Sequence, residues 1–209
     1  MRCIIIAGSP ETNPDFIKQA VLKDDYIICA DRGYHYAKLA CVTPNLLVGD
    51  FDSCDDPLPK DCETVILIPE KDDTDTEHCV KLALQKGFDD IVILGATGGR
   101  LDHTLANMAL LLYIVNKGAK GVLLSEYEKV LLLTQGEYSF ENLCGKTFSL
   151  FPFGCDKVCV SYSGAKYPLD KKYVTSDTSL GVSNVFFENI CKINIYDGNA
   201  ILVINFYNC

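Results

Sequence analysis

The rhythm of apolar residues changes once along this chain, and that change limits the folds open to it. Up to about Tyr127, short apolar runs alternate with segments of helical spacing. Cys3 to Ala7, Tyr26 to Ala30, Leu46 to Val48, Val65 to Ile68 and Ile91 to Leu94 read as strands. Asp15 to Leu22, Tyr34 to Cys41, a segment opened by Thr74 and stopped by Gly87, and Asp102 to Lys117 read as helices. Thr74 and Glu77 have the T-x-x-E spacing of a capping box. Such alternation predicts a mostly parallel sheet with helices on both faces. After Tyr127 the helical spacing ends. Runs at Val130 to Leu133, Thr147 to Phe151, Val158 to Tyr162, Lys192 to Tyr196 and Ala200 to Phe206 predict an all-β sandwich or roll, with Asp197-Gly198-Asn199 as a hairpin turn. The expectation is an α/β domain over residues 1–127 and a β domain over 128–209.

Two clusters of aspartates stand where predicted strands end. Asp50 and Asp52 lie in Gly49-Asp50-Phe51-Asp52-Ser53, and Asp72, Asp73 and Asp75 lie in Lys71-Asp72-Asp73-Thr74-Asp75, reached through Pro69. In parallel sheets, ligands bind beyond the carboxyl ends of the strands. Carboxylates so close repel one another unless they share a positive charge, and hard oxygen donors suit Mg²⁺ together with phosphate oxygens. Each cluster also has a plainer reading. D-x-D occurs in ordinary turns, although in a strand it would aim both side chains at one face. Acids near a helix start are favoured by the dipole, and capping alone explains Thr74.

A third polar element is Gly95 to His103, between a predicted strand and helix. Its glycines would let backbone N–H groups approach an anion, and Arg100 adds a fork of donors suited to phosphate. Asp102 reads as a helix cap and His103 as a candidate ligand or a structural histidine. The spacing matches neither common nucleotide-binding glycine motif.

Composition narrows the partners. The net charge is −9 with no Lys/Arg run, which argues against a nucleic-acid backbone while leaving a metal-bound nucleotide open. The longest apolar stretch, around Leu105 to Val115, is too short to span a bilayer, and Met1 to Gly8 carry no cleavage pattern, so a cytoplasmic location is expected. The chain has eleven cysteines without a C-x-x-C pair, so neither a zinc site nor a disulfide framework is expected.

Taken in order, Asp31-Arg32-Gly33, Gly49-Asp50-Phe51-Asp52-Ser53, Asp72-Asp73-Thr74-Asp75 and Gly98-Gly99-Arg100-Leu101-Asp102-His103 resemble the signature set of thiamine pyrophosphokinases. In the second half, Ser163-Gly164-Ala165-Lys166-Tyr167-Pro168-Leu169 and Ser179-Leu180-Gly181-Val182-Ser183-Asn184 are similar to further segments of that family. Ala165 and Val185 depart from its pattern, which bears on substrate packing more than on the reaction. The resemblance implies transfer of the terminal pyrophosphoryl group of ATP to thiamine, giving thiamine diphosphate and AMP. It implies an N-terminal α/β catalytic domain that binds ATP and Mg²⁺, and a C-terminal β domain that contributes to thiamine binding and dimerisation. It also implies a homodimer whose active site lies between subunits. Carried over residue by residue, it gives Mg²⁺ to Asp50, Asp52 and Asp75, with Asp72 as a further or water-mediated ligand. Arg100 would hold the phosphates beside Gly98 and Gly99. Asp31, Thr74, Asp102 and His103 are polar contacts, with Asp102 the candidate to take the hydroxyl proton. Ser183 and Asn184 would bind thiamine, and Tyr167 would stack on one of its rings or serve as a plain strand tyrosine. Rival readings are a sugar-nucleotide transferase, a phosphohydrolase, and a non-catalytic thiamine or nucleotide binder.

Overall fold

Each strand of the first half ends at a polar loop, and the order in which those strands pair decides which loops meet. The computed structural model describes residues 1–52, 56–68 and 72–206, so Ser53, Pro69 and Lys71 of the segments above lie outside the described residues. The chain divides into two compact units, Met1–Glu126 and Tyr127–Cys209.

The first unit runs β1 (Arg2–Ile6), α1 (Pro14–Ala20), β2 (Tyr26–Ala30), α2 (Gly33–Leu39), β3 (Leu46–Gly49), β4 (Glu63–Ile66), α3 (Asp75–Gln85), β5 (Asp90–Leu94), α4 (Leu101–Asn116) and β6 (Lys120–Leu124). Its strands pair in parallel in the order β4-β3-β2-β1-β5-β6. Ile4 and Ile6 of β1 pack with Ile17 of α1 and Tyr34 and Ala37 of α2. Strand side chains alternate in direction, so Cys3 and Ile5, equally buried, face the other side. Both faces of the sheet are therefore covered, as parallel sheets require. The chain steps outward from β1 through β2, β3 and β4, then returns to β5 on the other side of β1. That reversal is a topological switch point, where the loops after β1 and β5 diverge and leave a crevice.

The second unit runs β7 (Glu128–Leu133), β8 (Gly136–Glu141), β9 (Thr147–Pro152), β10 (Lys157–Ser163), β11 (Leu169–Thr175), β12 (Asn184–Val185), β13 (Ile190–Asp197) and β14 (Ala200–Asn205). All its pairings are antiparallel, in one layer ordered β12-β9-β14-β7 and another ordered β11-β10-β13-β8. Phe148 and Leu150 from one layer and Val160, Tyr162 and Ile193 from the other fill a common core, so the unit is a sandwich. The expected hairpin at Asp197-Gly198-Asn199 is not one. β13 and β14 belong to different layers, and the turn carries the chain from one to the other. Gly198 is needed there because a Cβ would come within 2.5 Å of the Lys157 carbonyl oxygen. Among the described residues, no helix is long and apolar enough to cross a membrane. Nine cysteines fall among the described residues, all free thiols.

Candidate functional site: a carboxylate trio beside a cleft

β2 and β3 pair in register with Ala30 opposite Val48, so residues 31 and 50 leave the sheet at nearly the same height. The carboxylate oxygens of Asp31, Asp50 and Asp52 come within 4.8 Å of one another. Local backbone makes this possible. The Asp31 N–H donates to the Val48 carbonyl at 2.8 Å, and a Cβ on Gly49 would stand only 3.0 Å from the Asp31 Cα. Asp31 and Phe51 adopt φ of +44° and +59°, a conformation that side-chain-bearing residues adopt at a cost. Asp50 and Asp52 thus meet across a turn and not by strand alternation, and the Asp52 N–H donates to Asp50 Oδ1 at 3.2 Å.

Asp31 is under electrostatic stress. Burial pushes its carboxyl above the ordinary value, the charges of Asp75, Asp50 and Asp52 push it further, and the Arg32 N–H offsets part of the rise. Its Oδ1 is buried without a hydrogen-bond partner. An orphaned buried carboxylate oxygen among hard oxygen donors fits a divalent cation such as Mg²⁺.

The second cluster is divided. Thr74 caps α3 by accepting from the Glu77 N–H at 3.2 Å, while the Glu77 side chain turns to Lys81 at 2.8 Å, so the capping box closes on one side only. Asp73 is drawn back onto the helix by His78 and Lys81, each at 3.2 Å. Burial alone would raise its carboxyl, but the Lys81 and His78 contacts bring it below the ordinary value. Asp75, the first helical residue, lines the cleft together with Asp31. Asp72 is exposed and stands outside the trio.

That cleft, about 450 Å³, is lined by Asp31, Arg32, Asp75, Gly98, Arg100 and His103 among others. The glycines after β5 also serve the packing of this turn. The Gly99 N–H already donates to Glu11 at 3.0 Å. A Cβ on Gly98 would strike the Glu11 carboxylate, and one on Gly99 would lie 2.6 Å from the Pro10 ring. Their freedom, φ +86° and +65°, lets the β1–α1 loop pack on this turn. Asp102 is not the cap of α4. Arg100 holds that position, and Asp102 receives its guanidinium at 3.1 and 2.5 Å. Arg100 thereby lowers the Asp102 carboxyl to about 2. Asn107, seen in the sequence only as an interruption of an apolar run, is buried and donates to the Ala96 carbonyl at 2.8 Å, which ties α4 to the loop. Arg32 stood in the Asp31-Arg32-Gly33 segment without a role of its own.

In the second unit, Asn184 is buried and its amide is engaged on both its oxygen and its nitrogen. It accepts from the Tyr167 N–H at 3.0 Å and donates to the Tyr167 carbonyl at 2.8 Å. It therefore fixes Tyr167, whose ring is exposed, instead of presenting its own amide to solvent. Ser183 is exposed at φ +58°, with its N–H held by Ser149 Oγ at 3.1 Å. A Cβ on Gly181 would meet the Leu150 carbonyl oxygen at 1.9 Å, so the glycine of this segment lets it lie against β9.

The sequence matches a family described as Thiamin pyrophosphokinase, catalytic domain, over residues 17–123, and one described as Thiamin pyrophosphokinase, vitamin B1 binding domain, over residues 135–198. Thiamine pyrophosphokinase of Bacillus subtilis (strain 168) is 29% identical over 205 residues, covering 95% of this chain and 96% of the relative. The crystal structure of thiamine pyrophosphokinase from Bacillus subtilis aligns with a TM-score of 0.90 at 27% identity, covering 100% of both chains. That of thiamin pyrophosphokinase from Geobacillus thermodenitrificans aligns at 0.86 with 25% identity, covering 100% and 99%. By sequence and by fold, the chain belongs to the thiamin pyrophosphokinase family.

Proposed function

We propose that this protein is an enzyme that transfers the pyrophosphoryl group of ATP to the hydroxyethyl group of thiamine. The observation that carries this reading is the carboxylate trio, with its orphaned oxygen, beside a cleft that also holds two guanidinium groups. In the reaction the thiamine hydroxyl oxygen bonds to the β-phosphorus and the bond from that phosphorus to the α,β-bridging oxygen breaks. AMP leaves and the hydroxyl proton passes to a base. Asp31, Asp50 and Asp52 would hold Mg²⁺, with Asp75 in the neighbouring cleft and Asp72 as an outer contact. Bound there, Mg²⁺ supplies positive charge to the phosphoryl oxygens. Arg100 turns its donors to phosphate, helped by His103 and by the Gly98–Gly99 turn, and positioning with charge stabilisation supplies most of the rate. Asp102 takes the hydroxyl proton. Both its oxygens are engaged by Arg100, so it takes the proton once that guanidinium has turned to the phosphate. Thr74 keeps Asp75 at the helix start. Ser183 contacts thiamine, and Asn184 sets Tyr167 to stack on a thiamine ring.

The same reading makes the protein a cytoplasmic homodimer that takes thiamine between the α/β unit of one subunit and the β unit of the other. One assay tests the activity. With ATP, Mg²⁺ and thiamine, AMP and thiamine diphosphate appear in equal amounts, and neither forms without thiamine. Release of ADP, or of phosphate independent of thiamine, points to a phosphohydrolase instead and refutes the transfer.

A further inference from the structure

The two guanidinium groups of the cleft are in different states. Arg100 is engaged by both oxygens of Asp102. Arg32 also lines the cleft, and among the described residues it makes no ion pair. Its guanidinium lies by the Tyr36 ring, whose centroid is 5.9 Å from Cζ. This holds although Arg32 follows Asp31 directly in the chain, beside four carboxylates.

The mount of Arg32 is rigid while its side chain is exposed. Asp31 before it is bonded to β3, and the His35 N–H donates to the Arg32 carbonyl at 3.0 Å. Gly33 after it is pressed onto β1, where a Cβ would meet the Ile6 carbonyl oxygen at 1.9 Å. The Arg32 stem leaves against the β1–α1 loop, its Cβ 2.9 Å from where a Gly8 Cβ would be. A fixed backbone therefore delivers an uncommitted planar fork of donors to the cleft, within one side chain's reach of the carboxylates that would hold the cation. A guanidinium is built to take two oxygens of one anion. The carboxylates here do not take it, and the anion that shares a divalent cation with them is a polyphosphate.

We propose that Arg32 binds the β- and γ-phosphates of the nucleotide, the group that is transferred. This rests on the nucleotide reading above, and it separates Arg32 from residues that hold the adenosine monophosphate part. The test is equilibrium binding of ATP and of AMP to the full chain with Mg²⁺ and without thiamine, for the unaltered protein, Arg32→Gln and Arg32→Lys. Loss of a charge-assisted contact predicts that Arg32→Gln weakens ATP about 10- to 100-fold. AMP should change by less than about threefold, and Arg32→Lys, with a charge but no fork, should fall between. Matching thermal midpoints exclude misfolding as the cause. An unchanged ATP affinity in Arg32→Gln, or equal losses for ATP and AMP, overturns the assignment. Protein that binds ATP in this pattern yet makes no thiamine diphosphate leaves Arg32 in place and removes the transfer reaction. Protein that binds no ATP removes both.

Discussion

Asp31 shows what this site asks of a single residue. Its carboxyl is desolvated, set among three other acids and left with an unpartnered oxygen. In protein stripped of divalent cations, that arrangement opposes folding. The sign follows from linkage. A carboxyl whose folded value is raised binds its proton more readily in the folded state than in the unfolded one. Its ionised form then destabilises the fold, and the penalty is fully present above the folded value. It vanishes as the pH falls below the ordinary carboxylate range, at about pH 4. Asp31→Asn should therefore unfold at a higher temperature than the unaltered protein at pH 7 in a chelator, with the gain lost near pH 4 and activity lost throughout. Thermal scans at the two pH values check this. Asp52 is less buried, so Asp52→Asn should fold normally while thiamine-dependent AMP formation falls on the order of 10²–10³-fold. Full activity in that variant would remove the carboxylates from the reaction.

At the scale of elements, glycines decide close approaches. Gly98 and Gly99 accept the β1–α1 loop, Gly33 lets α2 start against β1, and Gly181 lets the segment before β12 lie on β9. Gly181→Ala forces a methyl group against the Leu150 carbonyl oxygen and so pushes apart the pairing in which the Leu150 N–H donates to the Gly181 carbonyl at 2.9 Å. Denaturant titration should show a loss of about 1–3 kcal/mol. The motif glycines were plain in the sequence. Their partners were not, because the close neighbours of Gly98 and Gly99 lie nearly ninety positions earlier in the chain. Strands were legible where both faces are apolar, as in β1, β2 and β5. β8, with every second residue exposed, and β11, with Asp170, Lys171 and Lys172 exposed, lacked that signal and were missed.

At the scale of the whole molecule, the two matched families fall one in each unit, and the proposed labour divides with them. Under that proposal nucleotide and cation bind at the parallel sheet and thiamine at the sandwich. Ser183→Ala should then raise the KM for thiamine about tenfold, the worth of one lost hydrogen bond, while the KM for ATP stays within about twofold. Steady-state kinetics with each substrate varied in turn decides this. The sequence by itself determined the two fold classes and the membership of most of the acidic set, because periodicity, capping and motif order are local properties. Only the tertiary structure decided which acids meet. Parallel pairing of β2 with β3 brings Asp31 to Asp50 and Asp52, and the pull of His78 and Lys81 removes Asp73 from the group. It also sent the turn at Gly198 between two layers instead of into a hairpin. Pairing between distant strands is set by the burial of whole faces, which no short stretch of residues encodes.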